Sequence, residues 1–353
     1  MRYKCIVSYV GSHYSGWQSQ TKGDSIQEKI EQAIEHITQK RTPITASGRT
    51  DAGVSAREQV FMFDSERDMD GRKWMGAINA YLPDDIHIMH VEKKDDIFHA
   101  RFNVRYKKYT YRINNGIYDV FTKDQAYQYS VPLDYKKMEE CIHVFEGTHD
   151  FTSFNSSSLE EYPIQVRSIY KVESKKEGDM ISLSFTGKGF LRYQVRMMVA
   201  SIIDVGRGKI TIDDVKEMLE AKNRLVKRHN APACGLTLEH VDYFEMIGLN
   251  ENIQIREFLR GDVLCDKEWD ITDIEQRIQK NIRPCAYAIC TRNNQEMKGC
   301  FVLNETKATI YLYDMNDEKY IKEIEEQINR KLKEKNIDGF EIQSYDLSKN
   351  YLK

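Results

Sequence analysis

Apolar positions in the first part of the chain recur at the spacings of strands and helices. Residues 3–10 are rich in β-branched and aromatic side chains, which is typical of a strand. Ser25 and Glu28 form a capping-box pattern, and the apolar residues after them recur at helical spacing, so a helix is predicted over 25–39. The other elements predicted in this part are a helix at 73–81 and strands at 59–63, 86–93 and 106–114.

A second set of elements follows between residues 133 and 246. Its predicted helices lie at about 135–145, 190–204 and 211–221, and its predicted strands lie near 166–174 and 180–186. Thr211 and Asp214 form another capping-box pattern. Two successive α+β segments favour one sheet assembled from two similar halves, residues 1–105 and 106–246, with antiparallel pairing where hairpins dominate.

Residues 247–353 have the pattern of a small separate α/β domain. Its predicted elements are a helix near 271–280, strands at 286–292 and 299–313, and a charged helix at 317–336. The segment contains neither the glycine-rich loop that binds phosphates nor the dinucleotide-binding fingerprint. No function is predicted for it from the sequence.

Composition and charge narrow the class of protein. The chain has 353 residues, about two domains at ~150 residues per domain. Its formal net charge of −3 does not exclude a nucleic-acid partner, because binding depends on how charges cluster on one face. No apolar run reaches the ~18 residues of a membrane span, and the seven cysteines include no Cys-x-x-Cys pair. We therefore expect a cytoplasmic protein with no membrane association, no disulfide framework and no zinc ribbon.

The first candidate for chemistry is the segment 48–54, Gly-Arg-Thr-Asp-Ala-Gly-Val. It places Asp51 in a turn flanked by two glycines, next to Arg49 and between two apolar strands. Glycines permit backbone angles that are closed to other residues, so such a loop can press one side chain into a cleft. The alternative is that Asp51 only stabilises a turn, as aspartate often does.

The second candidate is the predicted strand 106–114 with the basic residues around it. Tyr109 shares one face of the strand with Tyr111, whereas Lys108 lies on the other face. Aromatic rings beside cationic side chains suit a stacked base and its phosphates. The alternative is that aromatic residues at a period of two pack in the core.

The third candidate is a pair of arginines, Arg192 and Arg196, at the start of the predicted helix 190–204. They lie four residues apart and so line one edge of its apolar stripe. One interpretation is a surface arginine with a buried stem. The other is an arginine that pairs with a buried carboxylate and keeps it ionised by lowering its pKa.

In this order and at these separations, the segments resemble the bacterial TruA family of tRNA pseudouridine synthases over residues 1–246. The segments that carry the resemblance are Gly-Arg-Thr-Asp-Ala-Gly-Val at 48–54, Phe-His-Ala-Arg-Phe at 98–102, Tyr-x-Tyr at 109–111, Phe-Leu-x-x-x-Val-Arg at 190–196 and Gly-Leu-Thr-Leu at 235–238. The resemblance implies a mostly antiparallel sheet of two pseudo-twofold halves with helices on its back. It also implies a homodimer in which one tRNA touches both subunits.

The resemblance further implies a set of site residues. Asp51 would be the catalytic aspartate, Arg196 its partner in the cleft, Tyr109 the residue against the target uracil, and Arg49 the residue that extrudes or holds the flipped nucleotide. The implied targets are uridines 38, 39 and 40 in the anticodon stem-loop. The reaction breaks the N1–C1′ bond, turns the base and rejoins it through C5, so no metal or other cofactor is expected. A carboxylate nucleophile that acts on an out-of-stack base suffices, whether it adds to the uracil ring or acts at the sugar.

Tyr109 has a second expected role, as relay for the proton that is lost from C5. A phenol has an ordinary pKa of ~10, so this role requires Arg196 or Asp51 close by.

Three features depart from the usual pattern of the family. Ser55 stands where bacterial members usually have histidine, and Cys234 stands where histidine or tyrosine is common. Neither of these two departures removes a catalytic group, but they bear on which uridines are modified. The third departure is the segment 247–353. Three interpretations of it are open: a partner-docking module, a dimer-stabilising domain and a remnant of an unrelated enzyme.

Two other functions compete with uridine isomerisation. One is a non-catalytic tRNA-binding protein or chaperone that uses the same cleft. The presence of Asp51, Arg196 and Tyr109 together argues against it, because a protein that only binds RNA gains nothing from an anion in its RNA groove. The other is a carboxylate-dependent hydrolase, which lacks an identifiable second carboxylate as general acid.

Overall fold

The structure, a computed structural model, describes residues 1–19, 24–95, 98–160, 162–226 and 229–244 with their side chains. Beyond residue 244 it describes the backbone of six strands and the helical residue Glu326. The chain divides into two units, Met1–Tyr243 and Phe244–Lys353.

The described part of the first unit contains ten strands and five α-helices. The strands are β1 (Arg2–Tyr9), β2 (Thr45–Ala46), β3 (Ser55–Asp64), β4 (Ile86–Lys94), β5 (Val104–Asn114), β6 (Tyr127–Gln128), β7 (Gly147–Asp150), β8 (Val166–Glu177), β9 (Met180–Gly187) and β10 (Leu236–Tyr243). The helices are α1 (Ile26–Thr38), α2 (Gly71–Asn79), α3 (Tyr135–Ile142), α4 (Gln194–Gly206) and α5 (Ile212–Glu220). All strands and helices predicted before residue 247 are thus present.

All ten strands belong to one sheet. Its main path runs β4-β1-β3-β10-β5-β9-β8-β7, with β2 beside β3 and β6 beside β5. Pairing is antiparallel except between β10 and β3 and between β5 and β6. The predicted α+β fold with a mostly antiparallel sheet is therefore confirmed. Its division at residue 105 into two halves stays a prediction.

The position of β10 was not predicted. Strand β10 lies in the middle of the sheet, parallel to β3 on one side and antiparallel to β5 on the other. It contains the Leu-Thr-Leu of the family motif at 235–238. The motif thus lies at the start of the strand that joins β3, in the first part of the chain, to β5, in the second part.

Helix boundaries follow local capping groups. The Ser25 side chain accepts a hydrogen bond from the Glu28 amide at 3.2 Å, and α1 begins directly after it. Thr211 and Asp214 form a complete capping box at the start of α5, as predicted.

The predicted start of the helix at 190 was wrong, because α4 begins at Gln194. Tyr193 has a φ of 62°, in the left-handed region, which a continuing helix cannot contain. The Gln194 side chain accepts a hydrogen bond from the Leu191 amide at 2.8 Å and closes the turn before the helix. Arg192 therefore belongs to this turn, and its predicted four-residue spacing from Arg196 along one helix does not hold.

The core lies between one face of the sheet and the helices. Alternate residues of β1 are buried, and the ring of Tyr3 packs against Phe63 on β3 at 5.3 Å and Trp74 on α2 at 5.5 Å. Helix α4 is buried around nearly its whole circumference, as its apolar sequence dictates. This burial fixes α4, which carries Arg196, against the sheet.

The second unit has its own sheet of six described strands. These are β11 (Met246–Leu249), β12 (Ile253–Glu257), β13 (Ala286–Thr291), β14 (Met297–Leu303), β15 (Ala308–Tyr313) and β16 (Phe340–Tyr345), in that order across the sheet. The single strand predicted at 299–313 was wrong: the structure has β14 and β15 there, paired antiparallel on either side of the polar residues 304–307. The helices predicted at 271–280 and 317–336 lie outside the described residues, apart from Glu326.

The capping box of α5 gives a direct test of local stability. We expect Thr211→Ala to lower the free energy of unfolding by about 1 kcal/mol, because it removes the hydroxyl that accepts from the Asp214 amide. Thr211→Ser keeps the hydroxyl and serves as the control. Urea unfolding would measure both, and equal midpoints for Thr211→Ala and the intact protein would show that the cap contributes nothing.

Candidate active site

The loop between β2 and β3 is held by its backbone on both sides of Asp51. The Thr50 carbonyl accepts a hydrogen bond from the Trp17 amide at 3.1 Å, and the Asp51 carbonyl accepts one from the Val54 amide at 3.1 Å. Gly53 has a φ of 80°, which turns the loop back toward β3 and favours glycine there. The loop thus has one fixed path, and Asp51 lies at its centre.

A buried hydroxyl pair fixes the residue before Asp51. The Tyr9 hydroxyl and the Thr50 hydroxyl lie 2.8 Å apart in a hydrogen bond, and both side chains are buried. Tyr9 is the last residue of β1, so the loop is tied to the sheet by a side chain as well as by its backbone.

Arg196 on α4 faces the Asp51 carboxylate. Its Nη1 lies 3.6 Å from Asp51 Oδ2, and the two side chains are only 14% and 24% exposed. The Arg196 Nε donates to the Ala231 carbonyl at 2.8 Å, which orients the guanidinium toward the loop. Sequence positions 51 and 196 are therefore brought together in a largely buried ion pair.

Tyr109 lies on β5 beside this pair and is 9% exposed. Its ring packs edge-on against Phe190 with 5.3 Å between ring centroids. Phe190 belongs to the turn before α4, which also carries Arg192. The structure therefore brings three of the predicted residues, Asp51, Arg196 and Tyr109, into one site.

Comparisons with known proteins show the family of the chain. A sequence model of the tRNA pseudouridine synthase family matches residues 5–103 and 142–244. The tRNA pseudouridine synthase A of Geobacillus sp. is 41% identical over 244 residues, which cover 69% of this chain and 98% of that protein. The corresponding proteins of Exiguobacterium sp. and Bacillus pumilus are 43% and 40% identical over 242 and 246 residues, again 69% of this chain and 98% and 99% of theirs. The chain belongs to the tRNA pseudouridine synthase family.

The electrostatics of this synthase centre on Asp51. Burial raises the pKa of the Asp51 carboxyl above its ordinary value, while the charges of Arg196 and Arg192 and a hydrogen bond from Arg196 lower it. Burial is the larger effect. The carboxylate is thus less solvated than in water, and a buried carboxyl with a perturbed pKa and a specific charge partner is a candidate functional group.

The hydroxyl of Tyr109, in the candidate site, stays protonated. Burial raises the pKa of Tyr109 far above its ordinary value, and Tyr9 and Asp51 raise it further. The nearby Asp51 therefore acts against the phenolate, contrary to the expectation that it would help Tyr109 act as a base. The geometry favours Tyr109 as a stacking surface and hydrogen-bond donor.

Arg49 is placed apart from the buried pair. Its side chain is exposed and makes no hydrogen bond or ion pair within the described residues. The structure therefore shows Arg49 as an exposed residue of the loop that takes no part in the ion pair of Asp51 and Arg196.

The two departures from the family pattern have structural roles. Ser55 is buried at the start of β3, where its hydroxyl accepts a hydrogen bond from the Gly11 amide at 3.0 Å. Cys234 is half-buried, and burial raises the pKa of its thiol, which keeps it protonated. Neither side chain replaces a group of the Asp51 site.

Tyr193 is a site residue that the sequence analysis missed. The guanidinium carbons of Arg192 and Arg196 lie 5.0 Å and 5.2 Å from the centroid of its ring, a cation–π arrangement. Tyr193 thereby holds both cations that lower the pKa of Asp51. The available signal in the sequence was an aromatic residue next to Arg192 and three residues before Arg196. It was missed because residues 190–193 were predicted to be helical, and a helix directs these side chains differently from the turn that the structure shows.

Within the described ranges, no group of three or more histidine, cysteine, aspartate or glutamate side chains is arranged to hold a metal ion. No helix of those ranges is long and apolar enough to cross a membrane.

The raised pKa of Asp51 predicts a stability difference that depends on pH. The Asp51 carboxyl keeps its proton to a higher pH in the folded state than in the unfolded state. The free energy of unfolding therefore falls as the pH rises from ~3.9, the ordinary pKa, through the raised pKa of the folded state. We expect Asp51→Asn to be at least as stable as the intact protein at neutral pH. The difference should shrink to zero below about pH 3.9 in urea unfolding.

Asp64 provides a control of opposite sign. A hydrogen bond from Arg2 lowers the pKa of Asp64, so its stabilising effect is present above the ordinary pKa and is lost as pH falls through the lowered one. Asp64→Asn should therefore be less stable than the intact protein at neutral pH. If Asp51→Asn behaved in the same way, pairing with Arg196 would outweigh burial.

Proposed function

We propose that the chain converts uridine to pseudouridine in the anticodon stem-loop of tRNA, at positions 38, 39 and 40, with Asp51 as the catalytic aspartate. The observation that carries the proposal is the Asp51 carboxylate, which lies in a hydrogen-bonded loop and forms a largely buried ion pair with Arg196 at 3.6 Å. The family supplies the reaction class, an isomerisation of uridine in tRNA.

Asp51 is proposed to act as a nucleophile on a nucleotide that has left the base stack. A desolvated carboxylate is more reactive than a hydrated one, and the charges of Arg196 and Arg192 favour its ionised form against the effect of burial, which raises the pKa of Asp51. Attack at the uracil ring and attack at the sugar both need the same carboxylate. The reacting base must be extruded, since a stacked base cannot reach a cleft residue.

Tyr109 and Arg49 are proposed to hold the flipped nucleotide. Arg196 is proposed to orient both the nucleotide and the Asp51 carboxylate. Tyr109 offers a ring backed by Phe190, on which a uracil can stack. Arg49 is exposed beside the loop, where a guanidinium can contact a phosphate or fill the space that the base has left.

The further partner expectations rest on the family rather than on contacts. We propose that the chain forms a homodimer in which one tRNA touches both subunits. The family model ends at residue 244, so residues 247–353 are proposed to form a separate domain outside the part shared with the family, with an unknown partner.

A non-catalytic tRNA-binding role is the second candidate. A carboxylate in an RNA-binding cleft repels phosphates, so binding alone gives no reason for Asp51 to be buried next to Arg196. Isomerisation gives such a reason.

Release of tritium from uridine C5 tests the proposed reaction directly, because the product is an isomer of the substrate. We expect the intact protein to release label from tRNA transcripts and Asp51→Asn to release none, with tRNA affinity within a few-fold. Asp64→Asn is the matched control, since Asp64 also pairs with an arginine, Arg2, but at the far end of β3. Tight tRNA binding without any release would favour the non-catalytic role.

A truncation after residue 246 tests the proposed independence of the last domain. We expect the shortened chain to release tritium within a few-fold of the intact rate and to sediment as a dimer, as the intact chain should. Loss of the dimer alone would assign residues 247–353 to subunit contact, and loss of turnover with the dimer intact would assign them to catalysis.

A further inference from the structure

Lys107 reaches from β5 to the start of the Asp51 loop. Its Nζ donates a hydrogen bond to the Ser47 carbonyl at 2.8 Å. Lys107 lies two residues before Tyr109, so the two side chains leave the strand on the same face. One strand thus carries both the tyrosine of the site and a cation bound to the backbone of the aspartate loop.

The contact is made against a glycine, Gly48. A Cβ atom at position 48 would overlap the Lys107 Nζ, so the ammonium would have to shift. The lysine ammonium therefore fits against the bare backbone of the loop. This gives Gly48, part of the segment 48–54, a role that its turn geometry alone does not explain.

A second side chain holds the next carbonyl. The fully buried Gln59 on β3 donates from Nε2 to the Gly48 carbonyl at 3.0 Å. Its Oε1 accepts from the Ser47 hydroxyl at 2.6 Å and from the Val60 amide at 3.1 Å. Two consecutive loop carbonyls, those of Ser47 and Gly48, are thus bound by side chains from two different strands.

We propose that Lys107 is a positioning residue, which holds the Asp51 loop at a fixed distance from Tyr109 and so sets the geometry of the reacting nucleotide. The inference rests on the proposed isomerase function. Lys107 acts on the reaction through the loop, with Gln59 as its neighbour on β3, and touches no reacting atom.

The electrostatics of Lys107 agree with a dedicated structural contact. Burial, with a smaller effect from Arg101, lowers the pKa of Lys107 to about 8. Within the described residues, Lys107 forms no ion pair with a carboxylate, and its ammonium donates to the Ser47 carbonyl. By contrast, the adjacent Lys108 pairs with Glu173 at 2.9 Å.

Three single variants separate positioning from general stability. Lys107→Met keeps the length and apolar stem and removes the donor, Lys107→Arg keeps a cationic donor, and Lys108→Met changes the neighbour that faces the other way. The readouts are kcat and KM for tritium release from tRNA and the melting temperature of each variant.

We expect Lys107→Met to lower kcat by about 10- to 100-fold, because a shift of ~1 Å in a catalytic group has effects of that order. KM should stay within threefold, Lys107→Arg should recover at least part of kcat, and Lys108→Met should stay within twofold of the intact protein.

Gly48→Ala tests the same contact without changing the lysine and covers the case in which Lys107→Met does not fold. The added methyl group would displace the ammonium from the Ser47 carbonyl. We expect kcat to fall for Gly48→Ala as for Lys107→Met. The double variant should show little further loss, since both changes break one interaction.

Several results would overturn the inference. A folded Lys107→Met with unchanged kcat would do so, and so would a raised KM with unchanged kcat, which would make Lys107 a tRNA contact. Losses that add in the double variant would also contradict it. If the intact protein releases no tritium, the proposed function fails and this inference fails with it. If the intact protein and Lys107→Met both release tritium at the same rate, only the inference about Lys107 is rejected.

Discussion

The structure of the site depends on the ion pair between the Asp51 carboxylate and Arg196, which forms where burial has removed much of the water around the carboxylate. Burial raises the pKa of Asp51, and the charges of Arg196 and Arg192 lower it. Charge interactions grow stronger as water is excluded, so the balance responds steeply to small changes in distance. The loop bonds on one side and the Ala231 carbonyl on the other hold that distance at 3.6 Å.

The two members of the pair come from opposite parts of the chain. Asp51 follows β2, and Arg196 lies in the first turn of α4, which is buried against the second part of the sheet. A sheet that is continuous across the first and second parts of the chain keeps Asp51 and Arg196 at a fixed distance. Strand β10 provides the continuity, since it pairs with β3 and β5 at once.

Local sequence signals determined most elements but not their arrangement. The caps at Ser25 and Thr211 mark where α1 and α5 begin, because a hydroxyl and an amide three residues apart suffice to define a helix start. The start of α4 was missed because it depends on the left-handed backbone of Tyr193, a conformation that tertiary contacts impose. The bond from Lys107 to Ser47 joins residues sixty positions apart and has no local pattern.

The family segments gave Asp51, Arg196 and Tyr109, which the structure brings into one site. They did not give the groups that surround these residues. Tyr193 contacts the two arginines from the turn before α4, and Gln59 and Lys107 bind two carbonyls of the Asp51 loop. These contacts join residues that are distant in sequence, so they become visible only in the folded chain.

The central place of β10 also has a consequence for biosynthesis. Strands β3 and β5 leave the ribosome long before residues 236–243 are translated, so the two edges that β10 later occupies begin without their final partner. Open edges of this kind promote pairing with other chains. The sheet therefore closes as a late step, and residues 247–353 are translated after it, which gives β10 time to insert while the chain is still attached to the ribosome.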